Sequence, residues 1–361
     1  MVRVQYCTPG QFMELTKDRK IICFCAGDNF RTFCENYPVI PRIECAVDSY
    51  KAGSIFRMGD REIPVVSMEQ IEDISQGTVL VLTSVKAADE IMPKLDQDSR
   101  FRDMELYVPE MFGREKTDFM LQADAVQAIP KVIHYCWFGG APIPCRFQEN
   151  IDSWRKYCPD YEIIQWNESN YDVSRNTYMR QAYESRKWGF VPDYARLDIV
   201  ESQGGIYLDT DVRMVRSFDP LLQFGMFCGF ESMTRINLGQ GFGAVKGHPV
   251  VRKLRKGYEN LEFIDPAGKM NTVPSPVYQT RELERLGVVI DGTFQQLEDA
   301  VIFPQEYFSP VNEFGYGMQT ENTFSVHQYD GSWYDEKQRE TKERVIRNYE
   351  YMAGRMTGRG E

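Results

Sequence analysis

The sequence predicts an α/β protein built as two domains, and three observations lead there. At 361 residues the chain is longer than one ordinary core organises. Short apolar runs bounded by Gly, Pro and Asp alternate with stretches of helical spacing, the pattern of a parallel sheet covered by helices. Composition also shifts along the chain: all five tryptophans (137, 154, 166, 188 and 333) come late, and five of the nine cysteines come before residue 46. The shift sets a small first domain at 1–112, a linker at 113–128, a larger domain at 129–333, and a charged C-terminal helix and tail at 334–361.

In the first domain Lys20 to Cys25 reads as a strand ending at Ala26-Gly27, followed by a helix from Asn29 to Tyr37. Ile43 to Val47, closed by Asp48, is a second strand, and Ile63 to Val66 a third. Thr78 to Leu82 is a fourth, followed by a helical pattern from Val85 to Leu95, and Glu105 to Val108 is the last. The layout resembles a small Rossmann-like module, with Gly27 at the first turn and Asp48 about 20 residues on, where a ribose-binding acid sits. Two of the three expected turn glycines are missing from Cys25-Ala26-Gly27-Asp28-Asn29-Phe30-Arg31, so a scaffold without cofactor outweighs a nicotinamide or flavin site.

The second domain opens at Ile129-Pro130. Val132 to Trp137 is a strand ending in Phe138-Gly139-Gly140, and Phe147, Ile151 and Trp154 follow at helical spacing until Cys158-Pro159 stops them. Tyr161 to Trp166 reads as a strand and Asn176 to Trp188 as a helix. Pro192 opens another helix that Gly204-Gly205 closes. The strand Gly205 to Leu208 then delivers Asp209-Thr210-Asp211. At the C-terminus Val345, Ile346, Tyr349 and Met352 form a helical stripe.

Composition excludes several classes. Apolar residues at 42% and charged residues at 26% rule out a disordered chain, a collagen-like repeat and a coiled coil. The 42 Lys and Arg against 53 Asp and Glu give a net charge of −11, which opposes non-specific nucleic-acid binding. No stretch nears the roughly 18 consecutive apolar residues of a membrane span, and Met1 to Leu15 lacks a signal-peptide core. No CxxC pair occurs, and three histidines are too few for a structural zinc site. A cytoplasmic protein is expected, with at most peripheral attachment to an inner membrane.

Chemistry concentrates at Asp209-Thr210-Asp211. Two carboxylates at i and i+2 in extended chain point to one side, close enough to share Mn²⁺ or Mg²⁺, which then meets diphosphate oxygens. Asp96-Gln97-Asp98 repeats the spacing in a polar stretch, where a solvated turn is the better reading. An aspartyl-phosphate nucleophile is a weaker reading of Asp209 and Asp211, because Arg213 stands where those enzymes have Thr or Val.

The residues from Ile129 to Gly140, then Ser153-Trp154, Cys158-Pro159-Asp160-Tyr161, Trp166-Asn167, Val191 to Leu197 and Gly204 to Val212, taken together, resemble the glycosyltransferases with a sugar-binding DXD region. That family includes capsular polysaccharide enzymes and Och1-type mannosyltransferases and is distantly similar to the large clostridial glucosylating toxins. The resemblance covers roughly 129–333. It implies a GT-A-type nucleotide-diphospho-sugar transferase domain, a divalent metal and retention of anomeric configuration.

It also implies roles. Trp137, with Gly139 beside it, stacks on the donor base; Asp193 and Arg196, three apart on a helix, hold the donor sugar. Asp211 ligates the metal directly and Asp209 contacts ribose, sugar or a metal-bound water. His327 is the third metal ligand, with Ser332 and Trp333 near the metal and diphosphate and Asp330 a less favoured neighbour. Apart from the resemblance, the glycine-rich segment Ile236 to Ala244 lets a sugar approach the backbone, which makes Asn237 and Gln240 candidate contacts, and His248 reads as a turn residue. The partners implied are a nucleotide-sugar donor, UDP-linked in preference, and an oligosaccharide or lipid-linked glycan acceptor, in bacterial surface-polysaccharide assembly. The rivals are a sugar-nucleotide oxidoreductase centred on the first domain and a non-catalytic glycan-binding protein.

Overall fold

The structure is a computed structural model that describes residues 1–114, 121, 126–331 and 336–357. It divides into two units: residues 1–117 with 335–361, and residues 118–334.

The first unit contains β1 (Arg3–Gln5), α1 (Pro9–Leu15), β2 (Ile21–Phe24), α2 (Asp28–Asn36), β3 (Ile43–Val47), β4 (Ile55–Met58), β5 (Arg61–Val66), β6 (Val79–Leu82), α3 (Ala88–Gln97) and β7 (Glu105–Tyr107). Their sheet runs β1-β7-β6-β2-β3-β5-β4, parallel except for the β4–β5 hairpin. Ile21, Cys23, Val79 and Val81 pack with Phe12 of α1 and Phe30 and Phe33 of α2. A Thr8/Gln11 capping box with Pro9 in the first turn starts α1, a signal the periodicity argument passed over.

Asp48, at the position a ribose-binding acid takes in a dinucleotide-binding module, is engaged with backbone amides. Its carboxylate accepts from Ala26 N at 3.0 Å, Tyr50 N at 3.0 Å and Lys51 N at 3.2 Å. Of the second Asp-x-Asp, only Asp98 sits in a turn, where it caps Arg100 N; Asp96 lies in the last turn of α3 and, instead of being solvated, accepts from Val2 N and pairs with Arg355 across the first unit.

The C-terminal helix Glu336–Arg355 is no separate tail. Its apolar stripe Val345, Tyr349 and Met352 is buried, Asn348 donates to Val85 O at 3.0 Å, and the strand Met356–Thr357 extends the first sheet beside β1. The expected boundary at 334 is thus a crossing back into the first unit.

The second unit contains β8 (Val132–Cys136), α4 (Cys145–Tyr157), β9 (Glu162–Trp166), α5 (Thr177–Glu184), α6 (Pro192–Gln203), β10 (Gly205–Tyr207), β11 (Val212–Met214), β12 (Met226–Ser232), β13 (Arg235–Ile236), β14 (Phe242–Ala244), α7 (Pro249–Lys256), α8 (Ser275–Arg285), β15 (Gln295–Leu297), β16 (Ala300–Phe303) and β17 (Ser325–His327). The main sheet runs β15-β16-β12-β14-β10-β8-β9, with β14 antiparallel to both neighbours, so it is mixed rather than all parallel. A separate antiparallel pair, β11 and β17, sets Val212 opposite His327. The helix expected from Asn176 to Trp188 ends at Glu184, and a short 3₁₀ turn at Trp188–Phe190 precedes α6.

Candidate active site

The site forms where β10 runs out. Gly204 (φ +73°) ends α6 and Gly205 (φ +95°) starts β10 against β8, where a Cβ would lie 2.8 Å from Val132 O. His134 of β8 secures this turn: Trp166 Nε1 donates to its Nδ1 at 3.1 Å, so Nε2 carries the hydrogen and donates to Gly204 O at 2.9 Å. Burial, only partly offset by the Gly204 carbonyl, depresses the His134 pKa to about 4.

Beyond β10 the chain is clamped from α4. Asn150 donates to Thr210 O at 2.9 Å, the Ser153 hydroxyl accepts Met214 N at 2.9 Å, and the buried Trp154 indole donates to Val212 O at 2.8 Å. These three side chains lie at i, i+3 and i+4, one face of the helix. Together they set the backbone on which the two aspartates sit.

Asp209 donates its backbone N–H to Gly239 O at 2.9 Å, and its carboxylate accepts the Tyr207 hydroxyl at 3.0 Å. Arg196 bridges the acids, with Nη2 3.2 Å from Asp209 and 3.3 Å from Asp193. It comes from α6, a helix buried on nearly every side, which explains how a charged pair three residues apart lies inside. Asp193 also accepts the Tyr178 hydroxyl at 3.3 Å, and the nearby Ser275 hydroxyl favours its ionised form. Burial pushes the Asp193 pKa up to about 6 against the pull of Arg196, and burial likewise raises Asp209. Asp209 keeps 27% of its side-chain surface where Asp193 keeps 5%, so the cluster opens outward at Asp209.

Asp211 meets β17. His327 Nε2 lies 3.4 Å from its carboxylate, and Asp330 N donates to the same oxygen at 3.1 Å. Burial opposes ionisation there, but His327 and that amide hold Asp211 below the usual carboxylate range. Burial also opposes charge on His327, yet Asp211, with Glu231 and Asp209 nearby, holds its pKa above the ordinary imidazole value. His327 Nδ1 is buried with no hydrogen-bond partner among the described residues.

Glu231, at the end of β12, is an acid that the sequence reading missed. Burial raises its pKa, and it accepts Asn237 Nδ2 at 2.9 Å while Asn237 Oδ1 accepts Gly239 N at 2.7 Å. The signal available was an acid directly after the apolar run Met226 to Phe230. Gly239 itself must be glycine, because a Cβ there would run into the Asp209 carboxylate and lie 2.8 Å from Arg196 Nη1.

Other expected residues divide. Asn237 belongs to the cluster through Gly239. Gln240 does not: fully buried, its amide donates to Gly229 O at 2.8 Å and its oxygen accepts the Ser309 hydroxyl, so it holds strands together. Trp137 is half-buried against Phe147, with its indole N–H on Ala141 O. Gly139 donates to Glu168 at 2.6 Å and lies under the Trp188 ring, which a Cβ would meet at 2.8 Å; Trp188 carried no expectation beyond a helix end. Asp330 pairs with Arg146 at 2.9 Å, and His248 caps α7 at Val250 N. Ser332 and Trp333 lie outside the described residues.

Among the described residues no group of three His, Cys, Asp or Glu side chains is gathered tightly enough to hold a metal. The acidic pair with one imidazole still fits a hard divalent cation, because such ions commonly take one or two carboxylates and complete their shell from substrate phosphates. No helix among the described residues is long and apolar enough to cross a membrane.

Residues 144–227 match the family described as "Glycosyltransferase sugar-binding region containing DXD motif". Inositol phosphoceramide mannosyltransferase 3 of Schizosaccharomyces pombe is 31% identical over 151 residues, 38% of this chain and 40% of that protein. Mannosyl phosphorylinositol ceramide synthase SUR1 of Saccharomyces cerevisiae is 29% identical over 184 residues, 48% of this chain and 47% of that protein. Among solved structures, the PaToxG glycosyltransferase is 20% identical with a TM-score of 0.37, covering 44% of this chain and 70% of that one. The chain thus spans less than half the length of these two curated relatives. Asp209-Thr210-Asp211 is the single Asp-x-Asp between 144 and 227, so this stretch of the chain carries the glycosyltransferase sugar-binding region and these residues are its DXD motif.

Proposed function

We propose that the protein is a metal-dependent, retaining glycosyltransferase that moves a hexose from a nucleotide-diphosphate sugar to a glycan or lipid-linked acceptor. The observation that carries this reading is the continuous chain Asp193–Arg196–Asp209, beside a DXD partner, Asp211, that faces His327. We read Arg196 and Asp193 as the residues that hold sugar hydroxyls, and Arg196 also pairs with the Asp209 carboxylate. Asp209, Asp211 and His327 would hold Mn²⁺ or Mg²⁺, which neutralises charge on a departing diphosphate. The mixed sheet with the motif at the end of β10 suits a GT-A-type unit.

The two fungal relatives are named for mannosyl transfer to inositol phosphoceramide, which makes mannose a leading donor sugar to test. The half-buried Trp137 beside the β8 end supports a stacked base, for which we favour uridine. We place the activity in cytoplasmic assembly of a bacterial surface polysaccharide, with retention by front-face attack of the acceptor hydroxyl. The first unit we read as Rossmann-like from its strand order, with β2, β3 and β5 stepping one way and β6 and β7 the other. With the Asp48 carboxylate engaged by backbone amides, a scaffold suits that unit better than a dinucleotide enzyme.

The experiment is donor hydrolysis and thermal shift with UDP-glucose, UDP-galactose and GDP-mannose, with Mn²⁺ and with excess chelator. Turnover that needs Mn²⁺ is expected, and Asp211→Asn, which keeps shape but removes charge, should lower it by about a hundredfold or more. Full activity in chelator overturns the metal assignment. A clear preference for GDP over UDP in competition overturns the base assignment.

A further inference from the structure

Two buried hydrogen-bond donors in the same unit as Asp193 and Arg196 have no partner among the described residues: the Tyr258 hydroxyl and Gln279 Nε2. Tyr258 is 2% exposed and Gln279 1%, so neither group is solvated. An unmet buried donor is costly, and such groups are rare unless something absent from the structure completes them.

Their positions are related. Ser275 and Gln279 lie four residues apart on α8, hence on one face. The Ser275 hydroxyl is close enough to Asp193 to favour its ionised form, while Gln279 Oε1 accepts Leu238 N at 3.0 Å. Leu238 immediately precedes Gly239, the residue against the Asp209 carboxylate. Thr280 strengthens the same junction by accepting Ile236 N at 2.9 Å. The Tyr258 ring packs edge-on against Tyr178, whose own hydroxyl donates to Asp193, and the Tyr258 hydroxyl lies within the electrostatic reach of Asp193 and Arg196. A phenylalanine at 258 would keep these ring contacts without burying an unmet hydroxyl. The hydroxyl is accounted for when a ligand brings an oxygen to it.

We propose that Tyr258 and Gln279 donate to hydroxyl oxygens of the hexose held by Asp193 and Arg196, forming the wall of the sugar pocket that decides which hexose is accepted. The ligand class is a hexosyl group with free hydroxyls on neighbouring carbons. One of these donates to the Asp193 carboxylate, and their oxygens accept from the guanidinium, the phenol and the amide. Such a site discriminates strongly, because a sugar that turns a hydroxyl away leaves buried donors unpaired. This rests on the glycosyltransferase reading.

The test uses the full chain with Mn²⁺ and whichever of UDP-glucose, UDP-galactose and GDP-mannose it hydrolyses. KM and kcat for that donor, and inhibition by its free nucleoside diphosphate, are compared in the wild type, Tyr258→Phe and Gln279→Glu. Tyr258→Phe should raise KM or lower kcat to give about a tenfold loss in kcat/KM, with inhibition by the nucleoside diphosphate unchanged and thermal stability equal or higher. Gln279→Glu keeps the acceptor for Leu238 N but replaces the donor, and should lose more. It should also change the preference among the three donors. Wild-type behaviour in both variants, with the wild type active, overturns this assignment alone. Equal weakening of donor and free diphosphate also overturns it, because the residues would then act on the whole fold. A wild type that neither binds nor hydrolyses any of the three overturns the transferase reading together with it. If Gln279→Glu does not fold, Tyr258→Phe decides, since it deletes one atom and adds none.

Discussion

His134 shows how much a single buried side chain settles. It received no role from the sequence beyond a place in an apolar strand, yet its neutral form ties Trp166 to the turn that launches Asp209. Its pKa in the folded chain, about 4, lies below the ordinary value of 6.5. Between those values the unfolded chain binds a proton that the folded chain does not. Stability from this group therefore rises with pH across the window and is lost as pH falls through it. Asp193 contributes with the opposite sign, because burial raises its pKa to about 6 and makes its ionised form the costly one. The His134 contribution amounts to about 2 kcal/mol between pH 7 and pH 5. Urea unfolding at both pH values should show this loss in the wild type relative to His134→Gln, whose amide donates to Gly204 O without titrating. Parallel pH dependences in the two proteins would show that His134 is not buried in its neutral form.

Elements place the chemistry through backbone features as much as through side chains. The turn between α6 and β10 needs two positive-φ residues, and Gly205 has only 2.8 Å between a would-be Cβ and Val132 O. Gly205→Ala combines left-handed strain with a clash against backbone that cannot rotate away, and should cost about 3 kcal/mol. A urea midpoint unchanged from the wild type would contradict the close approach of β8 and β10. Other junctions were invisible in the chain itself. Pro192 and Gly204 announce α6 by local chemistry, and Phe147, Ile151 and Trp154 announce α4 by period. The three-residue strands β11 and β17 are too short to carry a period, and their pairing across more than a hundred residues is set by packing. That pairing brings His327 to Asp211.

At the scale of the whole chain, the second unit is one continuous segment while the first is assembled from both ends. A chain of residues 118–334 should therefore fold alone and hydrolyse the donor, at a lower rate if the first unit serves docking. Donor hydrolysis at equal folded concentration measures this; a folded fragment that binds no donor would show that the first unit contributes to the site. Ending the chain at residue 334 instead should loosen the first unit, because Arg355 then no longer reaches Val2 O and Asp96, nor Asn348 Val85. Faster hydrogen exchange in β1 and α3 is the expected readout.

Much of this was legible beforehand. The α/β class, most strands of the first sheet, α4 and α6 follow from local composition, because period, Gly and Pro act through neighbours in the chain. The resemblance to DXD glycosyltransferases likewise singled out Asp193, Arg196, Asp211 and His327 from short ordered motifs. What tertiary structure alone decided depends on contacts between distant residues. It drew Asp48 onto its own backbone and Gln240 into the core, placed Glu231 at Asn237, and returned the charged C-terminal helix to the first sheet. A polar side chain looks alike in sequence whether it meets a ligand or a backbone amide. Only the packing around it determines which of the two fills its hydrogen bonds.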